Sequence, residues 1–352
     1  MGVKLERATI RALLRLPRRA RRLLAGRPKR ADGRTLDLDT QLGLRLFALA
    51  RRPPLEALTP AQARVEAERS LGLLGPRRPH PVAEVRDLDV PGGAGPRPAR
   101  LYRPVRRTGP APTLLYLHGG GHVVCDLDTH DDVCRRLATR SRVDVVSLDY
   151  RLAPEHRFPA AYDDAVAAFE ALRSGRVPGV TPSFLAMGGD SAGGNLTAAL
   201  SVAATRDGRP GPDFQLLFYP LLDGTFSFPS YRTFAKGVAL DDTEIAWFRS
   251  SYLGPNGDPT DLRYSPLLVD EIPPSLPPTY LATAGFDPLR DEGFAWAERL
   301  EAAGVPVTHR CHDGLIHGFV SFADVLTAAR EAIEQAADAL AAAVGASGEH
   351  RG

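Results

Sequence analysis

The sequence is poor in several features that mark specialised classes of protein. It has three cysteines (Cys125, Cys134 and Cys311) and no C-x-x-C pair, which gives no disulfide framework and favours a reducing compartment. No apolar run approaches about 18 residues, so we expect no transmembrane helix. The 33 glycines and 31 prolines stay below the roughly 25–30% content that is typical of low-complexity chains.

These absences leave an ordinary globular protein. Apolar residues make up 43% of the chain and charged residues 24%, which is too apolar for intrinsic disorder. A chain of 352 residues buries roughly three quarters of the surface that it exposes when unfolded. That is enough for a large core with a cleft.

Positive charge is concentrated at the N-terminus. Residues 1–34 hold twelve of the 44 Lys and Arg but two of the 42 Asp and Glu, so their net charge is +10 and that of the other 318 residues is −8. Apolar residues recur at helical spacing between the arginines, and Pro17 interrupts the pattern. We do not expect the segment to be a signal peptide, because arginines break every apolar stretch. Two interpretations stay open: a basic amphipathic segment on an anionic lipid surface, or a solvated, partly disordered tail.

Strand-like and helical patterns alternate after about residue 80. Several strand-like runs are continuously apolar, as expected of strands buried on both faces of a parallel sheet. The alternation predicts a doubly wound α/β sheet, and residues 220–264, which lack a strand pattern, are expected to form an insertion above it. The predicted strands are Ala99–Arg103, Thr113–Leu117, Val143–Leu148, Phe184–Met187, Phe214–Phe218, Tyr280–Thr283 and Val305–Cys311. The predicted helices are Asp131–Thr139, Ala160–Leu172, Ala192–Ala204, Asp291–Ala303 and Thr327–Val344.

The first chemical signal is Gly189-Asp190-Ser191-Ala192-Gly193, a G-x-S-x-G sequence that follows an apolar run and precedes a helical pattern. This context is typical of a nucleophile elbow, a sharp strand-to-helix turn. Glycines are needed there because the turn is strained and the helix packs closely against the strand. The turn is expected to lift the Ser191 hydroxyl above the sheet. The alternative is a loop of small residues that caps a helix.

The second and more specific signal is His118-Gly119-Gly120-Gly121, directly after a predicted strand. A loop without side chains leaves backbone N–H groups free to point at an oxyanion. We expect Gly119 and Gly120 to donate, with the N–H of Ala192 as a third donor. A phosphate-binding loop is the alternative, but no lysine follows and the spacing is not G-x-G-x-x-G.

A serine nucleophile needs a base, and the base needs an orienting acid. In this fold class the acid follows the serine in the chain and the histidine comes last. His317 is the predicted base because it lies in a loop just before a helix, whereas His309 and His312 lie in or at the end of a predicted strand. Asp287 is the predicted acid because it follows a strand, whereas Asp291 is explained as a carboxylate in the first turn of a helix.

Five separated motifs carry a family resemblance: His118-Gly119-Gly120-Gly121, Asp149–Ala160, Gly189–Gly194, Asp287-Pro288-Leu289 and His317-Gly318-Phe319. Together, over about residues 80–345, they resemble the hormone-sensitive-lipase-like branch of the α/β-hydrolases. The resemblance implies an α/β-hydrolase fold: a mostly parallel central sheet, helices on both faces and a helical cap built partly from N-terminal helices. It also implies a carboxylesterase for short-to-medium acyl esters that needs no cofactor, with Ser191 as nucleophile and Asp287 and His317 as its partners.

The resemblance implies supporting roles as well. Glu155 and Asp190 are expected to be structural supports near the elbow, beside the motif residues His118 and Gly121. His122 is a candidate for lining the pocket.

One departure from the family pattern is Cys125, which stands where this branch usually has another glycine. Its thiol is either reactive or a small buried hydrophobe. A metal centre is not expected, because His122, Asp128, His130 and Asp131 fit no recognised ligand spacing.

Two other functions stay open. An arylformamidase or amidase would use the same triad. A non-catalytic small-ligand receptor would share the fold, but receptors similar to this branch have lost the histidine of the triad, and His317 is present here.

We therefore expect a basic tail at 1–34, a helical cap segment at 35–78 and a catalytic domain at 79–348. The expected partner is a small-molecule ester and not nucleic acid; weak contact of 1–34 with a membrane surface and a homodimer are left open. The enzyme is expected in the cytoplasm, peripheral to the membrane if the tail touches lipid. Because the motifs lie outside 1–34, deleting this tail is expected to leave turnover of soluble esters nearly unchanged. Short acyl chains should be preferred, since a cap restricts access.

Overall fold

The centre of the molecule is an eight-stranded sheet. A computed structural model describes residues 3–50, 52–76, 78–106 and 109–349 of the chain. A short hairpin of β1 (Arg30–Ala31) and β2 (Arg34–Thr35) precedes the sheet. The strands of the sheet are β3 (Glu84–Gly92), β4 (Gly95–Arg103), β5 (Ala111–Leu117), β6 (Asp144–Leu148), β7 (Pro182–Asp190), β8 (Phe214–Phe218), β9 (Thr279–Phe286) and β10 (Val307–Ile316). Their order is β10-β9-β8-β7-β5-β6-β4-β3, and within this sheet β4 alone runs against the others.

The strands form where the sequence is continuously apolar. All five residues of β8 and all eight of β9 are buried, which fits strands covered on both faces. The predicted, mostly parallel α/β sheet is confirmed, and each of the seven predicted strands is present. β3 escaped prediction because its sequence is largely polar and contains Pro91; as an edge strand it pairs with β4 and keeps most of its residues partly or fully exposed.

Helices cover both faces of the sheet. They include α5 (Asp131–Ser141), α6 (Ala160–Arg173), α7 (Ala192–Arg206), α10 (Arg290–Ala302) and α11 (Thr327–Glu349), which match the five predicted helices. Alternate residues of β5 point into different layers: Leu115 and Leu117 pack with α6 and α7, whereas Leu114 and Tyr116 pack with α5 and α11. The core is thus split in two by the sheet.

Further helices come from the N-terminus and from the segment after β8. They are α1 (Val3–Leu14), α2 (Arg18–Ala25), α3 (Leu38–Leu49), α4 (Pro60–Leu74), α8 (Pro229–Thr233) and α9 (Asp242–Leu253). The Asp37 carboxylate caps α3 by accepting from the N–H groups of Asp39 and Thr40, and Thr59 with Gln62 forms a capping box on α4. None of the described helices is both long and apolar enough to cross a membrane.

The N-terminal segment is packed against the rest of the chain. Ile10 of α1 is buried against Leu73 and Leu74 of α4. Arg11 donates to the Gly75 carbonyl at 2.6 Å and pairs with Asp324. The interpretation of residues 3–34 as a solvated, partly disordered tail is therefore wrong. That interpretation considered only the run of positive charge. In the structure, the apolar residues between the arginines pack on α4, and some of the arginines donate to carbonyls at the end of that helix.

Candidate active site

Four loops that carry the sequence motifs meet at one edge of the sheet. The glycine motif at 118–121 follows β5, Ser191 follows β7, Asp287 follows β9 and His317 follows β10. These strands are parallel, so their carboxyl ends lie together, where ligands bind in open α/β sheets.

Ser191 occupies a strained turn between β7 and α7. Its φ of 52° is in the left-handed region, which few residues other than glycine adopt. The turn is held by the Ser191 N–H, which donates to the Phe218 carbonyl at 2.9 Å, and by the Asn195 N–H, which donates to the Ser191 carbonyl at 2.9 Å. A Cβ at Gly193 would overlap the Leu117 carbonyl of β5, so this helix start needs a glycine.

The three predicted residues form one hydrogen-bonded chain. Ser191 Oγ lies 2.9 Å from His317 Nε2, and His317 Nδ1 lies 2.9 Å from Asp287 Oδ2. A carboxylate can only accept, so Nδ1 carries the proton and Nε2 is left to accept from the serine hydroxyl. The Leu289 N–H donates to Asp287 Oδ1 at 2.9 Å and fixes the fully buried carboxylate. This arrangement can take a proton from Ser191.

The other candidates for base and acid have different partners. His309 Nε2 lies 2.9 Å from the Thr283 hydroxyl, and the ring of His312 packs edge-on against Phe319. The Asp291 carboxylate accepts from the Ser230 N–H at 2.9 Å, in the first turn of α10.

The glycine loop departs from the prediction at one position. The Gly119 N–H donates to Asp190 Oδ1 at 3.0 Å, so the expected role of Gly119 as an oxyanion donor is wrong. Gly120, with a φ of 103°, and Gly121, with a φ of 59°, line the cavity together with Ala192. The motif alone does not reveal which of its N–H groups faces the ligand, because that depends on the turn after β5.

His118 and Asp190 are hydrogen-bonded to Gly119 of the glycine loop. The Nδ1–H of His118 donates to the Gly119 carbonyl at 2.7 Å, and its ring stacks on Tyr150 with centroids 4.2 Å apart. The Tyr150 hydroxyl donates to the His118 carbonyl at 2.7 Å. Burial, followed by the nearby His130, lowers the pKa of His118 to about 4, so its ring is neutral.

Glu155 does not support the elbow. Its side chain is 52% exposed and pairs with Arg64 of α4 at 2.6 Å. Arg64 also donates to the carbonyls of Val123 and Ala153, both at 2.9 Å. The prediction for Glu155 is wrong because its partner comes from an N-terminal helix that the motif does not include. Glu155 instead ties α4 to the loop after β6.

His122 and Cys125 both line the cavity with positive φ, 62° and 74° respectively. The His122 ring stacks on Tyr252 at 3.9 Å, and burial lowers its pKa to about 3, so it is uncharged. Burial raises the pKa of the Cys125 thiol, which keeps it protonated. Position 121 requires a glycine, because a Cβ at this position would overlap the ring of Phe248.

A cavity of about 690 Å³ opens over Ser191 and His317, a size typical of small-molecule sites. Its walls are mainly apolar and include residues of both segments that the sequence marked as cap, 36–74 and 221–264. Sequence reasoning missed Leu14, Phe322, Val325 and Leu326, which come from α1 and from the segment before α11; their sequence patterns carry no site signal. The apolar wall residues include Leu14, Leu44, Phe47, Leu71, Leu74, Phe226, Leu240, Ile245, Phe248, Phe322, Val325 and Leu326.

The acidic and histidine side chains near the loop have other partners. Asp128 and Asp131 lie 2.7 and 3.9 Å from Arg100, and His130 lies 3.2 Å from Asp190. Within the described ranges, no group of three or more His, Cys, Asp or Glu side chains is arranged to hold a metal ion.

Known proteins match this chain over most of its length. Residues 114–321 match a family model described as alpha/beta hydrolase fold. Carboxylic ester hydrolase LipN of Mycobacterium tuberculosis (strain ATCC 25618 / H37Rv) is 40% identical over 322 residues, which cover 89% of this chain and 84% of the relative. Esterase LipI of the same strain is 44% identical over 273 residues, 75% of this chain and 84% of the relative.

Solved structures agree. An ester hydrolase from the metagenome of Lake Arreo, in complex with a derivative of bipyridine phosphonate, matches with a TM-score of 0.85 and 42% identity, over 88% of this chain and 99% of that chain. The family model and these relatives each extend over more than half of the chain. The chain therefore belongs to the α/β-hydrolase fold family, in its hormone-sensitive-lipase-like branch.

Proposed function

We propose that Ser191, His317 and Asp287 are the nucleophile, base and orienting acid of this serine carboxylesterase. The observation that carries the proposal is the unbroken hydrogen-bonded chain from Ser191 Oγ through the imidazole to Asp287. A weak nucleophile becomes reactive when a base can remove its proton as it attacks. The buried Asp287 holds the imidazole in the required tautomer and stabilises the imidazolium that forms.

The reaction proceeds in two acyl transfers. Ser191 Oγ attacks the ester carbonyl carbon while His317 Nε2 takes the hydroxyl proton, and the carbonyl electron pair moves onto oxygen. When the tetrahedral intermediate collapses, the alcohol leaves with the proton from His317. Water then attacks the acyl-enzyme in the same way, the imidazole again taking and returning the proton, and the acid is released.

We assign the oxyanion to the N–H groups of Gly120, Gly121 and Ala192. All three line the cavity beside Ser191, whereas the N–H of Gly119 is bonded to Asp190. Ala192 is also the first residue of α7, where the helix dipole adds positive potential. One such donor typically contributes ~3–4 kcal/mol to the stability of the transition state.

Replacing Ser191 tests the assignment. We expect Ser191→Ala to lower kcat for p-nitrophenyl butyrate by about 10⁴- to 10⁶-fold, because the nucleophile is lost. Ser321→Ala is a matched control, since Ser321 also lines the cavity, and should stay within about threefold of the parent. A fluorophosphonate should label the control and not Ser191→Ala. Folded Ser191→Ala that keeps its turnover would remove Ser191 from the mechanism.

We propose short-to-medium acyl esters as substrates. The apolar wall supports an acyl chain, since each buried methylene contributes about 0.8 kcal/mol, and the cavity has room for only a limited number. The names of the relatives favour esters over amides. In a series of p-nitrophenyl esters from acetate to palmitate, kcat/KM should peak between butyrate and octanoate, and butyranilide should react far more slowly. A preference for emulsified long-chain triglycerides, or for the anilide, would contradict the proposal.

We also propose that α2 makes weak contact with an anionic membrane surface. Leu23 is 83% exposed and Leu24 is 41% exposed, and the neighbouring Arg18 and Arg19 are exposed too. Among the described residues, neither arginine forms an ion pair. Exposed leucines among free arginines fit an interface with anionic lipid, where each cation contributes about 1 kcal/mol.

Vesicle co-sedimentation tests this contact. The protein should bind vesicles that contain 30% phosphatidylserine and not pure phosphatidylcholine vesicles. The double variant Leu23→Glu/Leu24→Glu should lose the binding, whereas Leu268→Glu, at an exposed leucine elsewhere, should keep it. Equal binding to both kinds of vesicle, or no effect of the double variant, would overturn the contact.

A further inference from the structure

A buried polar cluster lies behind the glycine loop, and the acyl-transfer steps do not use it. Asp190 Oδ1 accepts from the Tyr116 hydroxyl at 2.8 Å and from the Gly119 N–H at 3.0 Å. The same oxygen lies 3.2 Å from His130 Nε2. Asp190 and His130 are 4% and 3% exposed. A buried carboxylate is costly unless it is paired, so these donors are needed to keep it ionised.

Both ring nitrogens of His130 have polar partners. The Thr129 hydroxyl donates its proton to the Asp126 carbonyl at 2.8 Å, so it can only accept from His130 Nδ1, which lies 3.1 Å away. Nδ1 therefore carries a proton. Nε2 lies 3.2 Å from Asp190 Oδ1 and 3.4 Å from the Gly119 nitrogen, whose N–H points at it. The His130 ring therefore touches both the Asp190 carboxylate and the Gly119 N–H that this carboxylate holds.

The neighbours of Asp190 favour its charged form. Burial acts to raise the pKa of Asp190, but the charge and hydrogen bond of His130, followed by the bond from Tyr116, outweigh it and lower the pKa. His118, whose ring lies 5.6 Å from that of His130, stays neutral beside it.

The contact between Asp190 and His130 is connected to both sides of the site. On one side Asp190 holds the N–H of Gly119, the residue directly before the proposed donors Gly120 and Gly121. On the other side its Oδ2 lies 3.5 Å from the Tyr219 hydroxyl, and the Tyr219 ring lies 4.7 Å from the ring of His317. A shift of the Asp190 carboxylate would therefore move the loop.

We infer that His130 is a positioning residue of the reaction: paired with Asp190, it holds this carboxylate against the Gly119 N–H and so orients the N–H groups of Gly120 and Gly121 toward the oxyanion. The inference rests on the proposed function of the glycine loop. His130 touches neither substrate nor Ser191, and its effect passes through Asp190. Such misplacement of an oxyanion donor should affect the transition state more than the bound substrate.

Two substitutions at His130 distinguish a role in positioning the oxyanion donors from a role in packing alone. His130→Gln keeps an N–H donor near the position of Nε2, whereas His130→Ala removes it. We expect kcat for p-nitrophenyl butyrate to fall about 30-fold in His130→Ala and about 5-fold in His130→Gln, with KM within about twofold of the parent. The inhibition constant of a trifluoromethyl ketone, which places an oxyanion in the same site, should rise by the same factors.

Tyr116→Phe is a third variant, and it removes a hydroxyl without leaving a large cavity in the core. It removes another donor from Asp190 and should show the same parallel change in kcat and inhibition constant, about threefold. If His130→Ala does not fold, the other two variants decide. The inference would be overturned if His130→Gln and Tyr116→Phe fold and keep the kcat of the parent. It would also be overturned if these variants changed KM alone. Fluorophosphonate labelling of the parent keeps the two proposals apart, because an unlabelled parent would contradict the proposed function itself.

Discussion

The floor and the roof of the cavity are held together by different forces. The floor is formed by the glycine loop 118–121, the turn at Ser191 and the buried groups behind them. There the backbone of α7 touches β5 so closely that Gly189 and Gly193 leave no room for a Cβ. Polar groups of the floor are buried and bonded to one another, as at Asp190.

The roof is formed by α1, α3, α4 and α9, and Ala25 of α2 packs on α3. The apolar contacts of its N-terminal helices are small clusters, such as that of Ile10 with Leu73 and Leu74. Ala67 of α4 and Ile245 of α9, by contrast, belong to the large core on one side of the sheet. The ion pairs of the roof are partly exposed: Arg52 bridges Glu6 and Glu66 at 2.6 and 2.7 Å. Ion pairs in contact with water typically contribute 0.2–1 kcal/mol each.

The contrast indicates that the two parts respond differently to substitution. Backbone overlap in the floor cannot relax without moving a central strand, so its cost is transmitted to the whole sheet. The N-terminal part of the roof can open locally, because its buried apolar clusters are small and water can replace some of its bonds. We expect the floor to determine chemistry and global stability, and the roof to determine access.

Gly193→Ala should have the largest effect on stability. The new Cβ would overlap the carbonyls of Leu117 and His118, which belong to β5 and the loop after it. We expect the free energy of unfolding to fall by about 3 kcal/mol or more, with loss of turnover. Urea denaturation followed by circular dichroism measures this change.

Gly72→Ala is the matched control in the roof. Gly72 lies in α4 with nothing within 4 Å of an added Cβ, so alanine should stabilise by about 0.5–1 kcal/mol through its higher helix propensity. If both variants changed stability equally, the contrast between floor and roof would not hold.

Deleting residues 1–34 should have the next largest effect. The deletion removes Leu14 from the cavity wall and uncovers Leu73 and Leu74. We expect kcat/KM for p-nitrophenyl butyrate to fall at least about tenfold, because the substrate loses one wall that orients it. This reverses the expectation from sequence that turnover would be nearly unchanged.

Point variants separate contact from charge in the same segment. Arg11→Ala removes bonds to Gly75 and Asp324 and should lower the midpoint of thermal unfolding, whereas Arg19→Ala removes an exposed cation and should not. Full activity of the deletion variant would show that the roof is complete without α1 and α2.

The sequence predicted the floor better than the roof for a physical reason. Ser191, Asp287 and His317 follow strands whose apolar runs are easy to identify, and backbone geometry places the residue after each strand at one edge of the sheet. Gly119 was misassigned because the direction of one N–H depends on a tertiary contact with Asp190. Motif spacing carries no information on that contact.

Prediction failed in the roof because its contacts join segments that are distant in sequence. Glu155 is bonded to Arg64, and the arginines of α1 are bonded to the end of α4, although neither pairing shows in local periodicity. β3 was missed because an edge strand buries too little apolar surface to leave a pattern. Runs of positive charge do not distinguish a disordered tail from a packed helix, since arginines occur both in solvated tails and in helices where they bind other parts of the protein.

The smallest effects should come from the bond between roof and loop at Arg64. Arg64→Ala leaves the carbonyls of Val123 and Ala153 without this donor and should cost about 1–2 kcal/mol, because water reaches the partly exposed site only in part. Glu155→Gln removes only the charge of the exposed partner and should cost less than about 1 kcal/mol. Urea denaturation of both variants tests the order. A larger loss in Glu155→Gln than in Arg64→Ala would mean that charge, and not the bonds to backbone carbonyls, holds the roof to the floor.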